Sequence, residues 1–401
     1  MFNKKNKFYH ILFATIFLLK AVTGHAQITT GQVTGQINTI QSAVPFLTIA
    51  PDSRGGGMAD IGAATSPDIN SQHWNPAKYA FIKGNGGVSI SYSPWLRQLV
   101  NDINLAYLAG YLRLDDRQTV SMSLRYFSLG NIVFTNIFGN TLRNFNPNEF
   151  SLDAGYARAF SEKISSAITF RYIYSNLTGG IDVGGSGTRP GMSFAADVAM
   201  YYHTDINFKD KNGTAAFGIN ISNIGTKISY TKNQEPDFIP TNLRAGGNLG
   251  IELDKFNRLS FSVDLNKLLV PTPPVYDSAG TTIIAGMDTK VSVPVGMIHS
   301  FYDAPGGFKE EIHEINYAIG LEYWYNNQFA VRGGYFHEHE TKGNRKFYTL
   351  GLGLKLNVFL LDFSYLIPVY QNNPLAGTLR FTLGFDFESF RKQQNKPITT
   401  L

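Results

Sequence analysis

The sequence predicts an all-β fold: a 14-stranded antiparallel transmembrane β-barrel with an N-terminal plug in its lumen. Three observations predict it. Apolar and polar residues alternate over segments of the length that a tilted strand needs to cross a bilayer. The links between these segments are long and short by turns, as in outer-membrane barrels, where external loops alternate with tight periplasmic turns. The chain also opens with an export signature and contains no cysteine, so its stability must come from architecture rather than disulfides.

The alternation is clearest late in the chain. Tyr348, Leu350, Leu352, Leu354 and Leu356 take turns with Thr349, Gly351, Gly353, Lys355 and Asn357, and the pattern repeats over Leu259–Asn266 and Leu379–Glu388. The same template places strands near residues 89, 108, 123, 154, 169, 198, 219, 247, 262, 319, 333, 352, 363 and 382. Long links are expected at 130–147, 178–192, 226–240, 268–311, 338–345 and 367–376, tight turns at Asp115-Asp116, Ser161-Glu162, Asp254 to Asn257, Asn326-Asn327 and Asn357-Val358, and one intermediate link at 204–212.

The strand faces opposite the apolar one carry Arg125, Asp153, Arg171, Asp197, Arg244, Asp264, Glu322, Arg332, Lys355, Asp362, Arg380 and Asp386. An Arg or Lys in mid-bilayer costs about 2–4 kcal/mol, so the register must turn these residues inward. Six are basic and six acidic, a balance that fits a paired, filled interior better than an ion-selective pore.

Residues 1–26 read as a signal peptide. Lys4, Lys5 and Lys7 precede an apolar run from Phe8 to about Leu19, and Gly24-His25-Ala26 suits cleavage before Gln27. The net charge of +5 comes largely from this segment, whose four lysines leave 31 basic against 30 acidic residues elsewhere. A nearly neutral remainder gives no reason to expect nucleic acid as a partner. The expected organisation is a signal peptide at 1–26, an N-terminal arm and lumen plug at 27–83, a barrel at 84–390 and a polar tail at 391–401.

The plug proper is Ala43 to Phe81. Its apolar residues are interrupted by Gly55-Gly56-Gly57 and by Pro45, Pro51, Pro67 and Pro76, so no long helix or strand propagates and the segment needs external walls. Asn75 followed by Pro76 reads as the cap and first position of a short helix. The candidate plug residues are Asp52, Arg54, Gly56, Met58, Asp68, Trp74, Asn75 and Pro76.

The stretch SRGGGMADIGAATSPDINSQHWNPAKYAF resembles the N-terminal hatch of the outer-membrane fatty-acid-transporter (FadL) superfamily, through Ser53 to Ala59, Asp68 and Trp74-Asn75-Pro76-Ala77. Together with AVPFLTIAPDSRGGGMADIG it most resembles the branch of that superfamily that serves the type IX protein secretion system. That resemblance implies a non-enzymatic protein in the outer membrane of a diderm bacterium, surrounded by outer-membrane lipids. Its implied partners are the type IX translocon barrel, the C-terminal sorting domains of secreted cargo, and the surface attachment complex to which cargo is shuttled. The alternative is a FadL-like channel for fatty acids or other hydrophobic small molecules, opened by movement of the plug.

No catalytic, metal or cofactor residue is assigned. His337 and His339 alternate on one face, but the ligand set is incomplete and Thr341 to Arg345 reads as a loop tip. The glycine-rich run Gly179 to Gly187 lacks the ending and the following helix of a phosphate loop. His73, His203, His299 and His313 have no nucleophile-elbow context, and His73 is expected as a hydrogen-bonded plug residue. The 268–311 link is rich in proline and apolar residues; loops of that length are usually functional or disordered, and its apolar content points to partner docking or a fold-back lid, with simple capping of the lumen as the alternative. With the 178–192 loop it is the expected docking surface, through Pro273, Tyr276, Ile284, Met287, Val293 and Met297.

Overall fold

Period-two alternation builds the wall. The computed structural model describes residues 37–136, 138–180, 187–208, 210–231, 235–277, 279–370 and 373–387, one unit of which begins at Thr39. The expected signal peptide, residues 181–186 of the glycine-rich loop and the expected polar tail lie outside the described residues. The barrel strands are β1 (Gly86–Pro94), β2 (Ile103–Arg113), β3 (Gln118–Leu129), β6 (Asn148–Ala159), β7 (Ile164–Asn176), β8 (Gly191–Phe208), β9 (Lys211–Gly225), β10 (Asn242–Glu252) and β11 (Asn257–Leu268). They continue with β14 (Asn316–Tyr325), β15 (Phe329–His337), β16 (Lys346–Leu356), β17 (Phe359–Pro368) and β18 (Leu379–Asp386). Two small ribbons, β4 (Ile132–Thr135) with β5 (Thr141–Phe145) and β12 (Val275–Tyr276) with β13 (Ile283–Ala285), stand in the long links.

Each barrel strand pairs with its neighbours in the chain, and β1 closes the ring against β18, giving 14 antiparallel strands. All fourteen expected centres fall on these strands. In β16 the leucines at 350, 352 and 354 are exposed while Thr349, Gly351 and Gly353 are buried, so the apolar side of the alternation faces out and the polar side faces in. Among the described residues no helix is long and apolar enough to cross a membrane; the strands carry the apolar band.

One link differs from expectation. Residues 204–212 are not an intermediate loop, because β8 runs to Phe208 and β9 starts at Lys211, with Asp205 opposite Thr214 and Asn207 opposite Asn212. These strands overshoot the apolar band, and their polar projecting ends break the pattern by which strands are recognised. Turns at the same end use left-handed asparagines, with φ of 53° at Asn326 and Asn327 and 48° at Asn357, the conformation a tight hairpin requires.

Ten of the twelve expected lumen charges are buried; Lys355 and Asp386, near the short-turn end, are exposed and half-exposed. What buries the ten is residues 43–82. This segment starts at the long-loop end, where the Ala43 amide donates to the Phe238 carbonyl (2.9 Å). It finishes at the short-turn end, where Thr119 and Ser165 hydroxyls donate to the Tyr79 and Ala77 carbonyls (3.0 and 2.7 Å). Three apolar clusters line its course: Phe46 and Leu47 against Leu105, Phe127 and Ile173; Met58 and Ile61 against Phe336 and Phe347; and Tyr79 and Ala80 against Tyr111 and Tyr201.

Candidate functional site

The segment enclosed by the barrel is built from short pieces that glycine, proline and capping side chains permit. Helix α1 (Ser53–Gly56) is capped by Asp52, whose carboxylate accepts from the Gly55 amide (3.0 Å) and from Trp74 Nε1 (2.6 Å). Helix α2 (Ser71–Trp74) delivers that tryptophan. Asn75 then caps a 3₁₀ turn over Pro76–Phe81, its side chain accepting from the Ala77 amide (3.0 Å) while its amide group donates to Ala63 O and Met200 O.

The glycines do more than interrupt helices. A Cβ on Gly55 or Gly62 would lie 2.3 Å from the Trp74 ring, so the indole is sandwiched between two bare backbones. A Cβ on Gly56 would meet the Arg380 guanidinium at 2.7 Å, and one on Gly57 would meet the Gly351 Cα at 3.0 Å. Ala59 and Asp60 follow with φ of 61° and 63°, a left-handed pair costing roughly 1–2 kcal/mol per residue. The Ala59 amide donates to Thr349 Oγ1 (2.8 Å) and the Asp60 amide to Gly55 O (3.0 Å), fixing the reversal.

Charge is neutralised between segment and wall. Arg54 pairs with Asp68 (2.7 Å) within the segment and with Glu322 on β14 (2.8 Å). Glu322 also holds Arg332 (2.8 Å), which reaches Asp362 (2.5 Å), so one ion-pair chain runs from the segment across β14, β15 and β17. Across the lumen, Arg171 bridges Asp153 (2.7 Å) and Asp197 (3.0 Å). Arg125 donates to the Leu47 carbonyl (2.6 Å) and to His73 Nδ1 (2.6 Å), making His73 an acceptor. Arg244 stacks over Trp74, 4.6 Å from the ring centroid.

All eight candidate plug residues therefore sit in one connected cluster inside the ring, seven of them buried and Asp68 half-buried. Sequence reasoning missed two partners. Lys78 is fully buried, donating to Gly62 O (2.9 Å) and Thr65 Oγ1 (3.0 Å). Asp264 accepts from the Gly62 and Ala63 amides (2.8 and 2.9 Å). Lys78 follows Pro76 in a short turn and carries no sign of burial in its surroundings; Asp264 was legible only as an inward charge.

The 269–315 link forms the rim over β11 and β14. Of the six candidate docking residues, Tyr276 and Ile284 are exposed on the β12–β13 ribbon, whereas Pro273, Met287, Val293 and Met297 are half-buried. Past the ribbon the link contains helices α3 (Val293–His299) and α4 (Phe308–His313), which were not anticipated. Lys267 pairs with Glu311 (3.0 Å) and Glu314 (2.6 Å), and Lys342 pairs with Glu310 (2.5 Å) and Glu314 (2.9 Å). His313 stacks on His339 with centroids 3.5 Å apart. Asp303, which accepts from the Thr272 amide (3.1 Å), has its pKa raised to about 6, by burial first and then by Glu311 and Glu314.

The chain resembles solved channel and transporter structures at low identity. The CymD monoaromatic hydrocarbon channel is 11% identical, with 84% of this chain and 98% of that one covered and a TM-score of 0.46. The toluene transporter TbuX of Ralstonia pickettii is 11% identical over 84% and 97% with a TM-score of 0.41, and a FadL homologue of Pseudomonas aeruginosa is 11% identical over 87% and 99%, also at 0.41. No curated protein matches. The family model described as type IX secretion system protein PorV matches residues 32–275, a span that takes in the whole lumen segment and the strands from β1 to β11. A closed barrel with an apolar outer face and this match over more than half of its length place the chain in the PorV family of outer-membrane type IX secretion proteins.

Proposed function

We propose that the protein is a non-enzymatic carrier of the type IX system: it binds secreted cargo through the cargo's C-terminal sorting domain and passes it from the translocon barrel to the surface attachment complex. The observation that carries this reading is the pinned lumen segment. Its hydrogen bonds and ion pairs reach β1, β3, β7, β9, β11, β14, β16 and β18, so it is tied to the wall on every side. Such a segment acts as a fixed plug, and work at the surface falls to the long links. The exposed Tyr276 and Ile284 of the β12–β13 ribbon offer a docking edge, and the 178–192 loop is the second element of the docking surface.

The FadL-like channel is the second reading, favoured by the hatch-like motif. It requires the plug to shift and open an apolar path, whereas the inward strand faces carry Arg125, Asp153, Arg171, Asp197, Arg332 and Asp362. Affinity capture of the tagged protein from detergent-solubilised outer membrane, followed by mass spectrometry, separates the two. Recovery of a translocon barrel or of proteins sharing a C-terminal sorting domain is expected. A clean barrel carrying only fatty acids would replace this reading with solute transport. Deleting residues 275–285 should leave the barrel assembled and reduce cargo recovery; undiminished recovery rejects the ribbon as the docking edge.

A further inference from the structure

Lys267 stands on the outward side of β11 at the end of the strand, where the wall leaves the apolar band. Along β11 the outward residues are Leu259, Phe261, Val263 and Leu265, and the next outward place is Lys267. Yet its side chain is only 8% exposed, because Glu311 and Glu314 from α4 and its C-terminal edge reach it from outside the wall. Helix α4 must therefore lie over the outer shoulder of the barrel, not over the lumen.

This placement divides α4 into two faces. Glu310, Glu311 and Glu314 turn toward Lys267 and Lys342, while Phe308, Ile312 and Ile315 turn away and are 80%, 51% and 37% exposed. Phe308 and Ile312 lie four apart on one side of α4, and Ile315 follows in the turn just after it, all three lining one groove. Phe301, after α3, joins them at 50% exposure. Between this overhang and the outward Leu243 and Leu265 lies an apolar groove of about 280 Å³. Its floor is thus continuous with the lipid-facing band of β10 and β11.

We propose that the groove holds an acyl chain of an outer-leaflet lipid, and that Phe308, Ile312 and Ile315 insert beside it as an interfacial anchor for the 269–315 link. Three observations converge on lipid as the occupant: the floor belongs to the bilayer face, the overhang is apolar, and the carboxylates of Glu310, Glu311 and Glu314 are neutralised by Lys267 and Lys342, leaving Lys309 as the exposed charge of α4. A helix apolar on one face and charged on the other, lying at the level where strands leave the hydrocarbon, is the form that interfacial membrane anchors take. The anchor would hold the rim in one orientation to the membrane, independently of whether the link docks cargo.

The test uses the full-length chain in bilayers of phosphatidylcholine with or without bromine on the acyl chains. Phe308→Trp should add indole emission, relative to the parent protein with its own three tryptophans, that is largely lost in the brominated bilayer. A second variant, Phe308→Ser/Ile312→Ser, should co-purify with less bound lipid while its heat-modifiable migration, the mark of an assembled barrel, stays unchanged. Undiminished emission in brominated lipid overturns the proposal. So does Phe308→Cys reacting readily with a membrane-impermeant maleimide on intact cells. A cysteine shielded in cells, combined with an unquenched Trp in vesicles, also overturns it, by assigning the face to a protein partner.

Discussion

The lumen segment and the 269–315 link are both irregular stretches of comparable length, yet they are held in opposite ways. The segment is gripped from every side of the ring by dispersed contacts, each made with a different strand. The link is held chiefly at one place, the cage of Lys267, Lys342, Glu310, Glu311 and Glu314. The difference teaches that irregular backbone is not the same thing as mobile backbone. A chain built from short pieces becomes rigid when its polar groups find fixed partners.

The sharpest way to break the comparison is to refuse the segment its space. Gly62→Val places side-chain carbons where the Trp74 ring already lies, 2.3 Å from an ideal Cβ. Overpacking of this severity should destabilise by about 3 kcal/mol or more and abolish heat-modifiable migration. Removing a charge comes next. Glu322→Gln leaves Arg54 and Arg332 without a shared carboxylate, an expected loss of about 3–5 kcal/mol read as a lowered melting temperature. An unchanged melting temperature would mean that the ion-pair chain is not holding the segment.

The smallest effect belongs to the link and distinguishes it from the segment. The Asp303 pKa is raised above its ordinary value to about 6, so its protonated form is favoured in the folded link. The corresponding stabilisation is fully present below the ordinary carboxylate range near 3.8 and is lost as pH rises through about 6. Amide exchange in the link outside Thr272, whose amide the carboxylate itself holds, should therefore quicken between pH 5 and 7 beyond the intrinsic rise, and Asp303→Asn should remove that excess. Exchange in the lumen segment should not follow the same curve. If both regions respond together, the link and the segment are one cooperative unit.

How much of this was legible follows from which solvent each residue meets. Lipid on one side and polar lumen on the other impose alternation on every strand, so the strand centres could be read from the chain, as could the inward charges. Where that constraint ends, legibility ended too: the projecting ends of β8 and β9 read as loop. In the segment, the Asn75–Pro76 cap was readable because it is local. The role of Gly55 and Gly62 was not, because it depends on Trp74 arriving from farther along the chain. Helix α3 carried one overlooked sign, Pro294 in its first turn, and α4 is too short to declare a period.

The seam between β1 and β18 has a consequence for assembly. Thr382 on the last strand shares hydrogen bonds with Ser91 on the first strand (2.8 Å) and with Ser53 of the lumen segment (3.1 Å), while Ser89 of β1 donates to Asn70 (2.6 Å). The earliest part of the described chain is therefore stitched to the join that only the latest part can complete. A ring closed without the segment would leave Ser89 and Thr382 without the partners that Asn70 and Ser53 supply. Seating of the segment and closure of the ring therefore favour one another, because both are satisfied by the same hydroxyls at the seam.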